Sequence, residues 1–176
     1  MGREVRRVPA SWEHPKVWQH GQHGFKPLFG GSFGQRLAEW DEEEAQWQAG
    51  YMRSFRPEGQ RWMPKDPEYA ETPFDEWSGP RPKAEDYMPD WPEAERTHWQ
   101  MYEDCSEGTP ISPVMESPEK LARWLADNGA SSFGSTTASY EAWLAVCRGA
   151  YAPSAVYSQA TGLISGVEAV KKEGDD

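Results

Sequence analysis

Three histidines, His14, His20 and His23, lie close together near the start of the chain, and two cysteines stand far apart at Cys105 and Cys147. These are residue types that hold metals or serve as nucleophiles. A zinc site needs three or four such ligands at defined spacing. His20 and His23 alone supply two, in a stretch whose glycines do not preorganise it. A thiolate nucleophile can take its base from a distant part of the chain, so Cys105 with His98 is a conceivable pair. No local motif surrounds Cys105, and Cys147 falls on an apolar helical face, where a thiol acts as a small hydrophobe. The run Phe29-Gly30-Gly31-Ser32-Phe33-Gly34 leads into a helix, the local order that binds anions. It lacks the Lys-Ser/Thr ending of a phosphate loop and a strong preceding strand. With 29 acids in the chain, neighbouring carboxylates carry no catalytic signal. The residues therefore predict no metal, no cofactor and no catalytic group. The histidines are expected at the surface, and the glycine run is expected to be a flexible lead into a helix.

The elements that would position these residues are short. Residues 1–35 read as extended and looped, with charged and apolar residues alternating over Glu4-Val5-Arg6-Arg7-Val8 and five Gly between Gly21 and Gly34. Residues 35–51 read as a helix, with Leu37, Trp40, Trp47 and Tyr51 on one side and Glu39 and Asp41 to Glu44 on the other. Residues 57–92 contain eight of the 15 Pro along with Trp62, Phe74, Trp77, Tyr87 and Trp91. Proline forbids a long helix or a central strand there, so an irregular aromatic belt is expected. Residues 97–116 alternate as two short edge strands or a hairpin, turning at Glu107-Gly108-Thr109-Pro110.

Two helices follow. Ser117 caps the first, with Pro118 at its first position, Leu121, Trp124 and Leu125 at helical spacing, and Asn128-Gly129 as its stop. The second spans 138–148, capped by Thr136 or Thr137, with Tyr140, Trp143, Leu144 and Cys147 on one face. Their short connection predicts a packed pair that brings Trp124 and Trp143 into the core. Val156-Tyr157 and Leu163-Ile164 read as weak strands, and Lys171 to Asp176 as a frayed polar tail.

Composition sets the class. At 176 residues the chain has the length of one domain, here 1–176, with an extended N-terminal segment at 1–34. The hydrophobic fraction of 37% and mean hydropathy of -0.88 imply a small core. The 10 Trp argue against disorder, because disordered chains are poor in aromatics. The net charge is -11, which disfavours direct nucleic-acid binding and docking on an anionic membrane. Residues 1–36 hold six Arg or Lys against Glu4 and Glu13, a balance of +4, so the remainder carries -15. This pattern predicts a basic N-terminal strand lying over an acidic body. No apolar stretch reads as a membrane span or a signal peptide, and the two distant cysteines fit a reducing cytoplasm.

Several strings stand out: Met1-Gly2-Arg3-Glu4-Val5-Arg6-Arg7-Val8-Pro9 with Trp12-Glu13-His14-Pro15, Asp86-Tyr87-Met88-Pro89-Asp90-Trp91, Met101-Tyr102-Glu103, Glu107 to Val114, Leu121 to Ala130, and Ala152-Pro153-Ser154 through Ser165-Gly166-Val167-Glu168. They resemble a family of small uncharacterised proteins encoded in bacteriophage and prophage genomes. The resemblance covers most of the chain and implies a phage accessory protein acting in the cytoplasm of a bacterial host.

The expected fold is α+β, with the helix pair on a few short strands and long Pro/Trp-rich irregular segments. The expected function is binding and modulation of a host factor with a basic surface, such as a nucleic-acid-handling defence complex that it would inhibit. A virion or assembly component and a small enzyme acting on nucleotides or nucleic acid are the alternatives. The expected interface is Trp40, Asp41, Glu42, Glu43, Glu44 and Trp47, because Trp anchors and acids together suit a basic partner.

Overall fold

The computed structural model describes residues 2–19, 21–54, 61–103, 108–149, 151–159 and 162–173. In chain order the elements are β1 (Arg3–Val8), β2 (Lys16–Gln19), β3 (Gln22–Phe25), α1 (Phe33–Gln48), β4 (Tyr51–Arg53), β5 (Trp62–Pro64), α2 (Phe74–Ser78), β6 (His98–Glu103), β7 (Thr109–Pro110), α3 (Pro118–Asp127), α4 (Tyr140–Gly149), β8 (Tyr151–Ala152), β9 (Ala155–Ser158), β10 (Gly162–Ser165) and α5 (Gly166–Glu173). Single 3-10 turns occupy Pro67–Tyr69, Ala84–Asp86 and Glu93–Glu95. The fold is α+β, as the sequence indicates. The chain forms two compact units, one of Met1–Gly30 with Trp91–Asp176 and the other of Gly31–Asp90.

In the first unit the period-2 pattern of residues 3–8 becomes an interior strand. β1 pairs antiparallel with β6 along its full length, from Arg3 opposite Glu103 to Val8 opposite His98. The sheet order is β7-β6-β1-β8, all antiparallel. β6 pairs antiparallel with β7, as the hairpin alternative expects, and is not an edge strand, because β1 arrives from far away in the chain to cover its other side. Alternation sends Val5 and Met101 to one face, where they join Leu121, Ala122, Leu125, Ala142, Trp143, Val146 and Cys147 in the core. α3 and α4 pack against each other there, as expected from their short link, with Trp143 fully buried and Trp124 partly so. Each large apolar side chain taken out of water contributes about 1.5–3 kcal/mol. Trp143 Nε1–H has no acceptor among the described residues, which costs about 1–3 kcal/mol against that gain.

Local signals account for the helix ends. Ser117 accepts from the Lys120 N–H at 3.2 Å, and Pro118 occupies the first helical position of α3. α4 is capped by Ser139, which accepts from the Ala142 N–H at 3.3 Å, rather than by Thr136 or Thr137. Thr136 instead closes the preceding turn, bridging to Phe133 and donating its hydroxyl to the Phe133 carbonyl at 2.6 Å. α5 was not legible in the sequence. Ser165 starts it by accepting from the Glu168 N–H, and Glu168 in turn accepts from the Ser139 N–H, joining the two helix starts. Residues 171–173, expected as frayed tail, belong to this helix, and 174–176 lie outside the described residues.

In the second unit α1 starts at Phe33, capped by Ser32, and ends at Gln48 before Gly50, whose φ of +88° suits glycine. Trp40, Trp47, Met52 and Phe74 form its core, with Tyr69 and Trp77 packed against them. The Pro-rich segment from 62 to 90 is irregular, as its prolines require, apart from β5, α2 and two 3-10 turns. Residues 55–60 lie outside the described residues.

Close backbone approach makes Gly108 in the first unit stringent. A Cβ on Gly108 would sit 2.0 Å from the Leu28 carbonyl oxygen, and its φ is +52°. Gly108→Ala is expected to cost more than about 2 kcal/mol in thermal or urea unfolding, because both the clash and the left-handed backbone oppose it. Gly149→Ala, at a helix end with open space around it, is expected to be neutral or mildly stabilising.

Candidate functional site

On the face of the sheet away from α3 and α4, β1 and β6 present Glu4, Arg6, Gln100 and Tyr102. The segment following β1 supplies Trp12, His14, Phe25 and Leu28 against them. Arg6 lies 4.4 Å from the Tyr102 ring centroid, donates to Glu4 at 2.8 Å and donates to the Leu28 carbonyl at 2.9 Å. The Tyr102 hydroxyl is the hub. It accepts from Trp12 Nε1–H at 3.1 Å and donates to Gln100 Oε1 at 2.8 Å. Gln100 then donates to the Ser112 carbonyl, and Ser112 Oγ accepts from the Met101 N–H.

His14, expected at the surface, is buried in this network with 7% of its surface exposed. Its Nε2 is 2.7 Å from the Lys26 carbonyl, which can only accept, so Nε2 carries the proton. Nδ1 faces the Tyr102 hydroxyl at 3.3 Å. The single phenol proton thus has two acceptors, and the shorter contact to Gln100 takes it. Burial lowers the pKa of His14 below its ordinary 6.5; the Lys26 hydrogen bond opposes this and the nearby Arg6 cation adds to it. Burial pushes Tyr102 up to about 12. A neutral imidazole beside a phenol is an acid–base pair in kind. Here both groups are committed to internal partners, and what the network does is fasten residues 12–28 onto the sheet.

The other chemistry-bearing residues stand apart. His23 lies on β3 against Trp18, with ring centroids 4.9 Å apart. His20 and Cys105 lie outside the described residues. Among the described residues no group of three or more His, Cys, Asp or Glu is arranged to hold a metal. Cys147 is buried, and burial together with the Glu119 charge raises its pKa to about 12, so it is an unreactive thiol. Among the described residues no helix is long and apolar enough to cross a membrane. The basic N-terminal strand is less exposed than its charge suggests. Arg3 and Arg6 are buried, and Arg7 pairs with Glu93.

The acidic helix belongs to the second unit, where residues 31–90 hold 14 acids against seven Lys or Arg, a balance of -7. The structure divides the expected interface residues into two groups. Trp40 and Trp47 are core, 4% and 2% exposed, with their indole N–H groups donating to the Gly79 and Thr72 carbonyls. Asp41 and Glu42 are exposed, while Glu43 and Glu44 are half-buried. Three of these acids already hold arginines of the same unit: Asp41 takes both arms of Arg81 at 3.1 and 3.0 Å, Glu42 takes Arg61 and Glu43 takes Arg53. The α1 stripe is thereby largely neutralised.

Four further acids lie outside the expected interface. Glu68, Glu71, Asp75 and Glu76 are exposed, and none has an ion-pair partner among the described residues. They flank Tyr69 and Trp77, two half-buried rings 4.5 Å apart. The signal was present as acids interleaved with aromatics inside the Pro-rich belt, but the denser run at 41–44 drew the assignment. No protein-family model, curated protein or solved structure matches the chain.

Two predictions test the buried network. Tyr102→Phe leaves Trp12 Nε1–H and Gln100 Oε1 without their partner and is expected to cost about 1–3 kcal/mol in urea unfolding. Because folding lowers the pKa of His14, the unfolded chain takes up a proton near pH 6.5 that the folded chain refuses. Stability is therefore expected to fall between pH 7 and about 5 in the native protein and to fall less in His14→Gln. Melting temperatures across that range check the difference.

Proposed function

We propose that the chain is a phage accessory protein that acts inside a bacterial host by binding a host factor with a basic surface, through the acidic face of residues 31–90. An inhibitor of a nucleic-acid-handling defence complex fits this charge, because such complexes carry cationic channels for a phosphate backbone. The observation that carries the reading is the set of four exposed carboxylates, Glu68, Glu71, Asp75 and Glu76, without ion-pair partners among the described residues of a unit in which Glu39, Asp41, Glu42 and Glu43 hold arginines. Unneutralised charge costs the isolated protein through self-repulsion and is relieved when a basic surface arrives. The phage resemblance of the sequence supports the setting.

The test is affinity capture from host lysate with the tagged full chain at low and at high salt, read by mass spectrometry. One stoichiometric basic partner that is retained at low salt and released at high salt is the expected result, since steering between exposed charges is screened. Absence of a partner at both salts contradicts the reading for that host. A partner equally retained at both salts contradicts the electrostatic basis.

A further inference from the structure

The second unit repeats one small arrangement, in which a guanidinium is placed between an indole face and a carboxylate. Arg81 Cζ is 6.0 Å from the Trp40 ring centroid while its two arms bind Asp41. Arg61 Cζ is 5.2 Å from the Trp62 centroid while it binds Glu42 at 2.9 Å. A lysine variant occurs at Trp47, where Lys65 Nζ lies 4.6 Å from the ring centroid and donates to the Ala70 carbonyl. A cation over an indole gains from the ring quadrupole, and a carboxylate beside it fixes the guanidinium plane.

At Trp77 the same parts are present without the cation. Trp77 stacks on Trp47, with centroids 5.3 Å apart and planes 24° apart, and Tyr69 lies against it. Trp77 and Tyr69 pack against the core of this unit but are only half-buried. Among the described residues no Lys or Arg lies over either ring. Glu68 and Glu76 are their sequence neighbours, with Glu71 and Asp75 close by in the chain, and all four carboxylates are exposed.

We infer that the Tyr69–Trp77 face is a docking site for an arginine side chain carried on a basic peptide segment of the partner. The inference rests on the binding function proposed above and names its contact point. Charge complementarity selects a cation. The two internal precedents that combine an indole with a carboxylate both use arginine, and a planar guanidinium stacks on a ring while it bridges carboxylates, which an ammonium does not. The incoming arginine takes at Trp77 the place that Arg81 takes at Trp40.

Fluorescence anisotropy with the full chain and a short labelled peptide of alternating arginine and glycine tests this. Peptides with citrulline or lysine in place of arginine serve as the probes of charge and of shape. The arginine peptide is expected to bind, the lysine peptide more weakly, and the uncharged citrulline peptide weaker by at least about tenfold. The variant E68Q/E71Q/D75N/E76Q changes only exposed side chains and is expected to lose at least about tenfold in affinity. D41N/E42Q, which alters the arginine-filled positions, is expected to bind nearly as well as the native chain. In nuclear magnetic resonance the Trp77 indole N–H signal, identified by its absence in Trp77→Phe, is expected to shift on titration. Equal binding of the arginine peptide by the four-carboxylate variant, or an unmoved Trp77 signal, overturns the site while leaving the salt-sensitive partner in place. Failure to capture a salt-sensitive partner with the native chain sinks the wider reading instead. Equal affinity for lysine and arginine peptides overturns the choice of arginine.

Discussion

The pairing of β1 with β6 is the constraint on which the first unit depends. It joins residues 3–8 to residues 98–103 and so closes the chain between them, including the whole of residues 31–90, into a long loop. Closing a loop of that length costs entropy, which grows only slowly with length, and the ladder offsets it on both faces. On one face Val5 and Met101 complete the apolar cluster of α3 and α4. On the other, Arg6 stacks on Tyr102 and the Trp12–His14 segment closes over the pair. Arg3 and Arg6 of β1 are thus buried structural groups, while Arg7 is exposed and pairs with Glu93, which explains how a strand of such polarity occupies the interior of a sheet. Each buried cationic head is met by carbonyls or a carboxylate, the condition under which burying it is tolerable.

Much of this was legible. The caps and apolar spacing around Ser117, Leu121 and Leu125 specify α3, because local rules determine a helix of that kind. The strands at 155–158 and 162–165 are legible, weakly, in Val156-Tyr157 and Leu163-Ile164, but their pairing is not. The central role of β1 was not, because alternation shows that a strand exists but not which distant strand it joins. His14 was placed at the surface for the same reason. Its partners, Tyr102 and the Lys26 carbonyl, are brought to it by the sheet and the segment that follows β1, which no local pattern announces. α5 escaped because its start is fixed by Ser165 and by the link from Glu168 to Ser139, a tertiary contact.

The candidate site shows the same division. Counting acids along α1 found the densest charge, but density and availability differ once the fold is made. Arg53, Arg61 and Arg81, all from the chain that follows α1, return to cover those carboxylates, and Trp40 and Trp47 turn inward to the core. The charge that remains uncovered is sparser in sequence and sits beside Tyr69 and Trp77. Prolines hold that segment out of regular structure, which leaves its acids exposed on short 3-10 and helical turns while Tyr69 and Trp77 are half-buried against the core.

Hydrogen exchange of the full chain, free and bound to its salt-eluted partner, tests the division between scaffold and binding face most directly. Protection gained on binding is predicted to concentrate in residues 62–78, with the β1–β6 ladder already protected in the free protein and unchanged. Protection confined to the β2–β3 or β9–β10 hairpins, with residues 62–78 unaffected, would contradict the account.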